Sequence, residues 1–330
     1  MSAVQALTAE TALIGLDWGT TAMRAYLFDA LGNVVDSRAS DEGIMRLPEP
    51  GGFEAAFESA CGGWLASSPN LPVIAAGMVG SAQGWCEAPY VDVPADASAL
   101  VAGIVQVVTS RGVTVRIVPG VIERGDLPNV MRGEETQIVG ALASDAIAAA
   151  ARTLVGLPGT HAKWAIVRGE RIESFHTFMT GELYAALRDH TILGRTMVEP
   201  VEPDMQAFLR GVTVAKHAQR AGLLATIFST RSLGLTGALS SEQQPDYLSG
   251  LLIGHELSGL AALLESRDAS LAEEAPRLIG SAALCERYRL ALAEFGCERA
   301  SMVKAAAESG LWRIAEQAGL VQRRASAQTR

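Results

Sequence analysis

Leu13-Ile14-Gly15-Leu16-Asp17-Trp18-Gly19-Thr20-Thr21-Ala22-Met23-Arg24-Ala25-Tyr26-Leu27-Phe28-Asp29 is an apolar run that reaches an aspartate, turns through Gly-Thr-Thr and resumes as an apolar run. The pattern predicts two antiparallel strands joined by a turn of small residues. Gly19 lets backbone amides approach an anion, and the hydroxyls of Thr20 and Thr21 add short donors. Asp17, at the strand end, is placed to hold a water or Mg²⁺ opposite that anion. An ordinary hairpin with a polar turn shares this pattern, so later stretches must decide between them.

At 330 residues the chain has room for about two domains. With 49% hydrophobic and 19% charged residues it can bury a substantial core, and its 5% aromatic content favours helices on a sheet over a β-sandwich. A net charge of −9 argues against a nucleic-acid partner, which needs a basic face, but leaves room for a phosphorylated ligand held by a few local donors. Cys61, Cys86, Cys285 and Cys297 lie far apart with no C-x-x-C, which disfavours a metal site or disulfide framework and suits a reducing cytoplasm. No charged n-region precedes an apolar h-region, and the apolar stretch from Ile138 to Ala151 is too short to span a bilayer. No membrane partner is expected, and the oligomeric state is left open between monomer and homodimer.

Asp29 to Asn33 reads as a turn, and Val34 to Ala39 as a third strand. Phe53 to Ala66 has helical spacing, and Pro72 to Gly77 is the short apolar run of a buried parallel strand. Met78 to Tyr90 mixes glycine, amides and two aromatics directly after that strand, where open α/β sheets place ligand loops. Ala97 to Arg111 is expected to be a helix, and Val113 to Val118 a strand. Arg132-Gly-Glu-Glu-Thr-Gln137 opens an alanine-rich helix running to about Arg152. Glu134 and Glu135 in its first turn suit the helix dipole. Gly133, Gly140 and Ala141 would let another helix cross closely. This helix is taken as the boundary between domains 1–130 and 131–330.

A second hairpin, Thr153 to Arg168, passes through Gly159-Thr160-His161-Ala162-Lys163 and repeats the pattern of residues 13 to 29. Helices are expected over 181–190, 204–220, 224–230 and 246–265, the last thinned by Gly250, Gly254, Ser258 and Gly259. Pro276 to Leu284 reads as strand, Gly280-Ser281 turn and helix, a turn that can pass close under a flat base or ribose. After Ser301 the last helix carries Ala305, Ala306, Ala307, Gly310 and Gly319.

In this order, Asp17–Thr21, Gly133–Ala143, Gly159–Lys163, Gly280–Ala283 and Ala305–Gly319 resemble the first phosphate loop, connecting helix, second phosphate loop, adenosine turn and second connecting helix of the actin, sugar-kinase and heat-shock-chaperone superfamily. The implied fold is α/β, with two actin-like ATPase (ribonuclease H-like) domains and an interdomain cleft. Asp17-Trp-Gly-Thr-Thr21, Ala76-Gly-Met-Val-Gly-Ser81, Gln83-Gly-Trp85, Glu87-Ala-Pro-Tyr90, Val130 to Gln137, Leu157-Pro-Gly-Thr-His161 and Met179-Thr-Gly-Glu182 are similar to signature segments of 2-dehydro-3-deoxygalactonokinases. The resemblance implies ATP-dependent phosphorylation of 2-dehydro-3-deoxy-D-galactonate at its terminal hydroxyl, with Mg²⁺, in galactonate catabolism. Another sugar acid such as 2-dehydro-3-deoxygluconate, or a non-kinase actin-like ATPase, is the alternative.

The second phosphate loop lacks the aspartate found in chaperones and actins, so the catalytic carboxylate is sought elsewhere. Gly133-Glu134 is similar to the start of the first connecting helix in glycerol and xylulose kinases, with the register open between Glu134 and Glu135. Asp17 is expected to order Mg²⁺ through water, and Gly19, Thr20, Thr21, Gly159 and Thr160 to cradle phosphates. His161 and Lys163 are assigned to the nucleotide side, a local hydrogen bond being the other role open to His161. Gly280 and Ser281 are assigned to adenosine. The substrate carboxylate calls for an arginine, with Arg24 and Arg132 as candidates that also suit structural ion pairs. Gln83, Trp85 and Tyr90 are assigned to the sugar acid. No G-x-G-x-x-G follows a strand and no G-x-x-x-x-G-K-[ST] is present, which argues against dinucleotide and P-loop classes. Small residues at 140, 141, 306 and 310 are expected at a helix crossing between two domains that close on their ligands.

Overall fold

The computed structural model describes residues 10–48, 52–143, 152–218 and 221–322. The chain divides into two compact units, one of Met1–Ala151, Val167–Ser174 and Lys304–Arg330, the other of Arg152–Ile166 and Phe175–Val303.

The chain opens with β1 (Thr11–Trp18), β2 (Met23–Asp29), β3 (Val34–Ser40), α1 (Gly52–Ser67) and β4 (Val73–Ala76). Next come β5 (Tyr90–Asp92), α2 (Ala97–Ala102), β6 (Val105–Val108), β7 (Thr114–Ile117), β8 (Gly120–Glu123), β9 (Asn129–Met131) and α3 (Glu134–Ala143). The main sheet has the order β3-β2-β1-β4-β7-β6. β1 pairs antiparallel with β2, placing Asp17 opposite Arg24, and parallel with β4, placing Asp17 opposite Ala76. Every residue of β4 is buried, as its continuous apolar run requires. Phe57, Cys61 and Trp64 of α1 pack on Ile14, Leu16, Val73 and Ala75 to form the core of this unit.

The remaining elements are β10 (Arg152–Leu157), β11 (Ala162–Arg168), β12 (Arg171–Phe178), α4 (Thr180–His190), α5 (Met205–His217), α6 (Gly222–Thr226), α7 (Ser229–Leu235), α8 (Gln244–Glu265), β13 (Arg277–Leu278), α9 (Ala282–Glu294), β14 (Ser301–Met302) and α10 (Ala306–Gln317). The second sheet has the order β12-β11-β10-β13-β14. In both sheets the third, second and first strands are neighbours and later strands add beside the first. β13 and β14 join in parallel, like β4 and β7 in the first sheet. This shared order is the actin-like, ribonuclease H-like plan, present twice.

α8 is long and apolar enough by composition to cross a membrane, but most of it is buried in the second unit. Its thin face receives α5: a Cβ added at Gly250 would lie 1.9 Å from the Phe208 carbonyl, and one at Gly211 would lie 2.2 Å from that of Tyr247. All four cysteines are unpaired.

Three expectations need correction. The helix expected over 97–111 ends at Ala102, because Gly103 caps it and Val105 to Val108 then pairs antiparallel with β7. The helix expected over 224–230 is broken into α6 and α7. The boundary at residue 131 also falls elsewhere, since α3 belongs to the first unit and crosses α10 there. A Cβ on Gly140 would lie 1.9 Å from the Ala306 carbonyl, and one on Gly310 would lie 1.9 Å from that of Thr136. The small residues thus mark a crossing inside one unit. The part of the expected helix beyond Ala143 lies outside the described residues.

Candidate functional site

In the first unit, β1 ends at Asp17 and Trp18, and the turn that follows is held from both sides. The Gly19 amide donates to the Ala22 carbonyl at 2.9 Å, and Ile44 and Met45 donate to the carbonyls of Gly19 and Thr20. The Trp18 indole donates to the Glu42 carbonyl at 2.8 Å. Gly19's own amide is therefore engaged within the turn, while Thr20 and Thr21 stand exposed at its tip. Arg24 reaches Asp17 at 3.9 Å and is 64% exposed at its side chain. Burial raises the Asp17 carboxyl above the ordinary carboxylate range; Arg24 opposes the shift, and the negative charges of Glu308 and Glu134 add to it.

Beside this turn, the chain enters α3 through Gly133, whose φ is 109°. A Cβ there would come 3.1 Å from Gly77 Cα, so the close approach of the end of β4 also favours glycine. The two glutamates that follow have different surroundings. Glu134 is half-buried and its Oε2 accepts the Arg132 amide at 3.0 Å. Glu135 is fully buried; its Oε2 accepts the Gly133 amide at 2.7 Å and its Oε1 the Thr136 hydroxyl at 3.0 Å. Burial, reinforced by Glu134, pushes the Glu135 carboxyl up to about 8.

The 78–90 segment is folded on itself by bonds such as Trp85 amide to Val79 carbonyl and Ala88 amide to Gly80 carbonyl. The Trp85 ring is stacked on Phe53 at 6.2 Å and edge-on to Trp18 at 6.0 Å, so most of it serves packing. Gln83 is exposed, and Tyr90 is 40% exposed with the Arg132 guanidinium 4.4 Å from its ring centroid. Arg132 is itself buried, its Nη2 donating to the Ala88 carbonyl at 2.8 Å. Its Nε and Nη1 and the Ser81 hydroxyl have no protein partner. Arg132 thus anchors the segment from beneath, and Arg24 is the arginine that meets solvent.

In the second unit, the β10–β11 turn, the start of α4 and the helices α8 and α9 enclose a cavity of about 510 Å³, within the usual size range of small-molecule sites. Gly159, Thr160, Thr180, Gly181 and Tyr184 line one part of it, and Ser249, Leu284, Arg287 and Tyr288 are among the residues lining the rest. Gly181 is required by packing, since a Cβ would lie 2.4 Å from the Gly159 carbonyl. The Arg287 guanidinium pairs with the buried Asp246 carboxylate and lies 5.3 Å from the Phe208 ring centroid.

Four residues of this unit assigned from sequence to the nucleotide, His161, Lys163, Gly280 and Ser281, do not line this cavity. His161 pairs through Nε2 with the Glu182 carboxylate, both half-exposed. Lys163 is 4% exposed, with its ammonium donating to the His161 carbonyl at 3.0 Å, so it braces the turn from below. Ser281 caps α9, and Gly280 lies against the Pro158 carbonyl (3.3 Å from an added Cβ). These last two position the helix that carries Leu284, Arg287 and Tyr288. Sequence reasoning assigned no role to Glu308, to Ser81 or to the buried Glu256 beneath Thr180 and Tyr288, although Ser81 closes a quoted signature segment and Glu256 is a carboxylate in the largely apolar helix α8.

A profile of the family described as 2-keto-3-deoxy-galactonokinase matches residues 17–314. The 2-dehydro-3-deoxygalactonokinase of Escherichia coli (strain K12) is 36% identical over 286 residues, covering 86% of this chain and 90% of that one. A Rhizobium meliloti (strain 1021) protein assigned the same activity is 37% identical over 289 residues, 85% of this chain and 89% of its own. The crystal structure of a candidate 2-dehydro-3-deoxygalactonokinase from Sinorhizobium meliloti superposes with a TM-score of 0.78 at 33% identity, covering 92% of this chain and 98% of that one. The chain belongs to the 2-keto-3-deoxy-galactonokinase family.

Proposed function

We propose that this protein is an ATP-dependent kinase that phosphorylates 2-dehydro-3-deoxy-D-galactonate on its terminal hydroxyl, giving the 6-phosphate, and that it works in the cytoplasm on soluble substrates. The family membership supports this, and the observation that carries it is the cavity beside the Gly159–Thr160 turn, of a size for a nucleotide.

Phosphoryl transfer needs positioning and charge stabilisation more than covalent help from the protein. The substrate oxygen bonds to the γ-phosphorus as the bond to the β–γ bridging oxygen breaks, and the hydroxyl proton leaves to a base. Glu134 is the carboxylate placed to take it. It opens α3, reaches solvent and has a second carboxylate, Asp17, in its field. Glu135 is sealed and holds its proton to about pH 8, so it shapes the helix start. Thr20 and Thr21 offer donors to phosphate oxygens, as do Gly159 and Thr160. Arg24, paired with Asp17 at 3.9 Å and 64% exposed at its side chain, presents its guanidinium to solvent, where it can take the acid's carboxylate. Gln83 and Tyr90 offer polar contacts, and the exposed part of Trp85 offers an apolar one.

No group of three or more His, Cys, Asp or Glu forms a metal cage among the described residues. Mg²⁺ keeps several waters and takes one or two carboxylates plus the substrate's phosphates. Asp17, held above its ordinary range by burial and two carboxylates, fits as that ligand, through water. Bound there, Mg²⁺ would neutralise charge on the phosphates.

The test is ADP release with Mg-ATP and each of the two C4-epimeric 2-dehydro-3-deoxy acids, galactonate and gluconate types. A kcat/KM at least about tenfold higher for the galactonate epimer supports the substrate assignment. Preference for the gluconate epimer, or acceptor-independent ADP release, refutes it.

A further inference from the structure

Beneath the second-unit cavity lies a carboxylate that phosphoryl transfer does not use. Glu256, on α8, is 3% exposed, and its hydrogen-bond partners are all neutral. The Trp164 indole donates to Oε1 at 2.7 Å, the Tyr288 phenol donates to Oε2 at 2.7 Å, and the Thr180 hydroxyl also donates to Oε2. Thr180 and Tyr288 are both cavity-lining residues.

A hydroxyl carries one proton and two lone pairs. With its proton directed to Glu256, each of these oxygens has only lone pairs for any other partner. Burial, then the facing Glu256 charge, pushes the Tyr288 phenol well above its ordinary range, so it keeps its proton. Burial also raises the Glu256 carboxyl, and the three donors work against that rise. A fully ionised phosphate has no proton for these oxygens, so they suit a part of the ligand that brings its own donor.

We propose that Glu256 sets the hydrogen-bond polarity of the nucleotide pocket: by holding the protons of Thr180 and Tyr288, it turns both oxygens into acceptors that select a nucleotide carrying a donor there, a ribose hydroxyl or the exocyclic amine. Glu256 is thereby a positioning residue that acts through two pocket side chains. The proposal rests on the cavity taking ATP, as argued above.

The experiment measures kcat/KM of the full chain for ATP, 2′-deoxy-ATP, 3′-deoxy-ATP and inosine triphosphate, in wild type, Glu256→Gln, Tyr288→Phe and Thr180→Val. Wild type is expected to prefer ATP over at least one analogue by about tenfold, because a site built for a donor rejects the ligand lacking it. The analogue rejected identifies the donor as ribose hydroxyl or amine. Glu256→Gln, whose amide can itself donate to the hydroxyls, should reduce that preference to within about threefold, as should Tyr288→Phe or Thr180→Val.

A purely structural role would lower thermal midpoint and kcat but leave the nucleotide ratios as in wild type, which overturns the proposal. So does a wild type that shows no preference among the four. If Glu256→Gln fails to fold, unchanged ratios in both hydroxyl variants are the overturning result. Leu284→Trp or Ser249→Trp, either of which fills the cavity, separates the two levels. An unchanged KM for ATP in both removes the pocket assignment itself. A raised KM there, with wild-type ratios in Glu256→Gln, removes only the role of Glu256.

Discussion

The Gly133 amide donates at 2.7 Å to the carboxyl of Glu135, which is fully buried, so the group that caps the start of α3 is cut off from water. Its position is held above the ordinary range, at about 8 against 4.5, by burial and then by Glu134. The folded state therefore binds a proton that the unfolded state releases. This contribution to stability is full below about pH 4.5 and is lost as pH rises through about 8, each unit of separation being worth about 1.4 kcal/mol. Chemical denaturation of wild type and Glu135→Gln at intervals from pH 5 to 9 should show a downward slope in wild type that the variant flattens. Parallel curves would place the Glu135 shift elsewhere.

Glu134→Gln should lower kcat by about 10²–10⁴-fold with KM for ATP changed less than about threefold, the signature of a lost general base. Glu135→Gln should change kcat far less near neutral pH, because Glu135 already holds its proton there. Steady-state kinetics on both variants check this, and the opposite ranking would move the base by one residue.

Asp17→Asn should raise the Mg²⁺ concentration for half-maximal rate by about tenfold or more, since a neutral amide holds a hydrated cation poorly. Asp17 is held above its ordinary range, so its charge costs stability at neutral pH. The thermal midpoint of the variant, measured without ligand, should therefore be equal to or above that of wild type. A large fall would make Asp17 a structural residue.

Gly310→Ala puts a Cβ at 1.9 Å from the Thr136 carbonyl, against backbone that cannot swing aside as a side chain would. Overpacking of this kind costs about 1–3 kcal/mol, and Gly310→Leu more. Because α3 carries Glu134 and Glu135 on its first turn, the shift should also lower kcat. Denaturant unfolding and turnover of both variants test this; wild-type values for both would show that the crossing is loose.

The hairpins at 13–29 and 153–168 were legible because apolar runs, terminal polar residues and small turns all agree there. The same consistency located α5, α8 and β13. The stretch from Ala97 to Arg111 misled because Val105-Gln-Val-Val suits helical spacing as well as a strand, and only pairing with β7 decides it. β8 and β9 were invisible, being short and stabilised by each other and by β5. The domain boundary was misplaced because α10 returns from the far end of the chain to pack on α3, a contact no local pattern encodes. At the site, residue types were legible but orientation was not. Lys163 and Arg132 look like ligand-binding cations in sequence, and both lie buried against backbone carbonyls. Glu256 meets Trp164 and Thr180 across separations of 92 and 76 residues, beyond any motif.

The most direct measurement is ³¹P NMR of the full-length protein with Mg-ATP and 2-dehydro-3-deoxy-D-galactonate. The account predicts that the γ-phosphate signal is replaced by a phosphomonoester coupled to two protons on one carbon, the pattern of a primary alcohol phosphorylated at C6. A growing signal of inorganic phosphate alone, or a phosphomonoester coupled to a single proton, would contradict it.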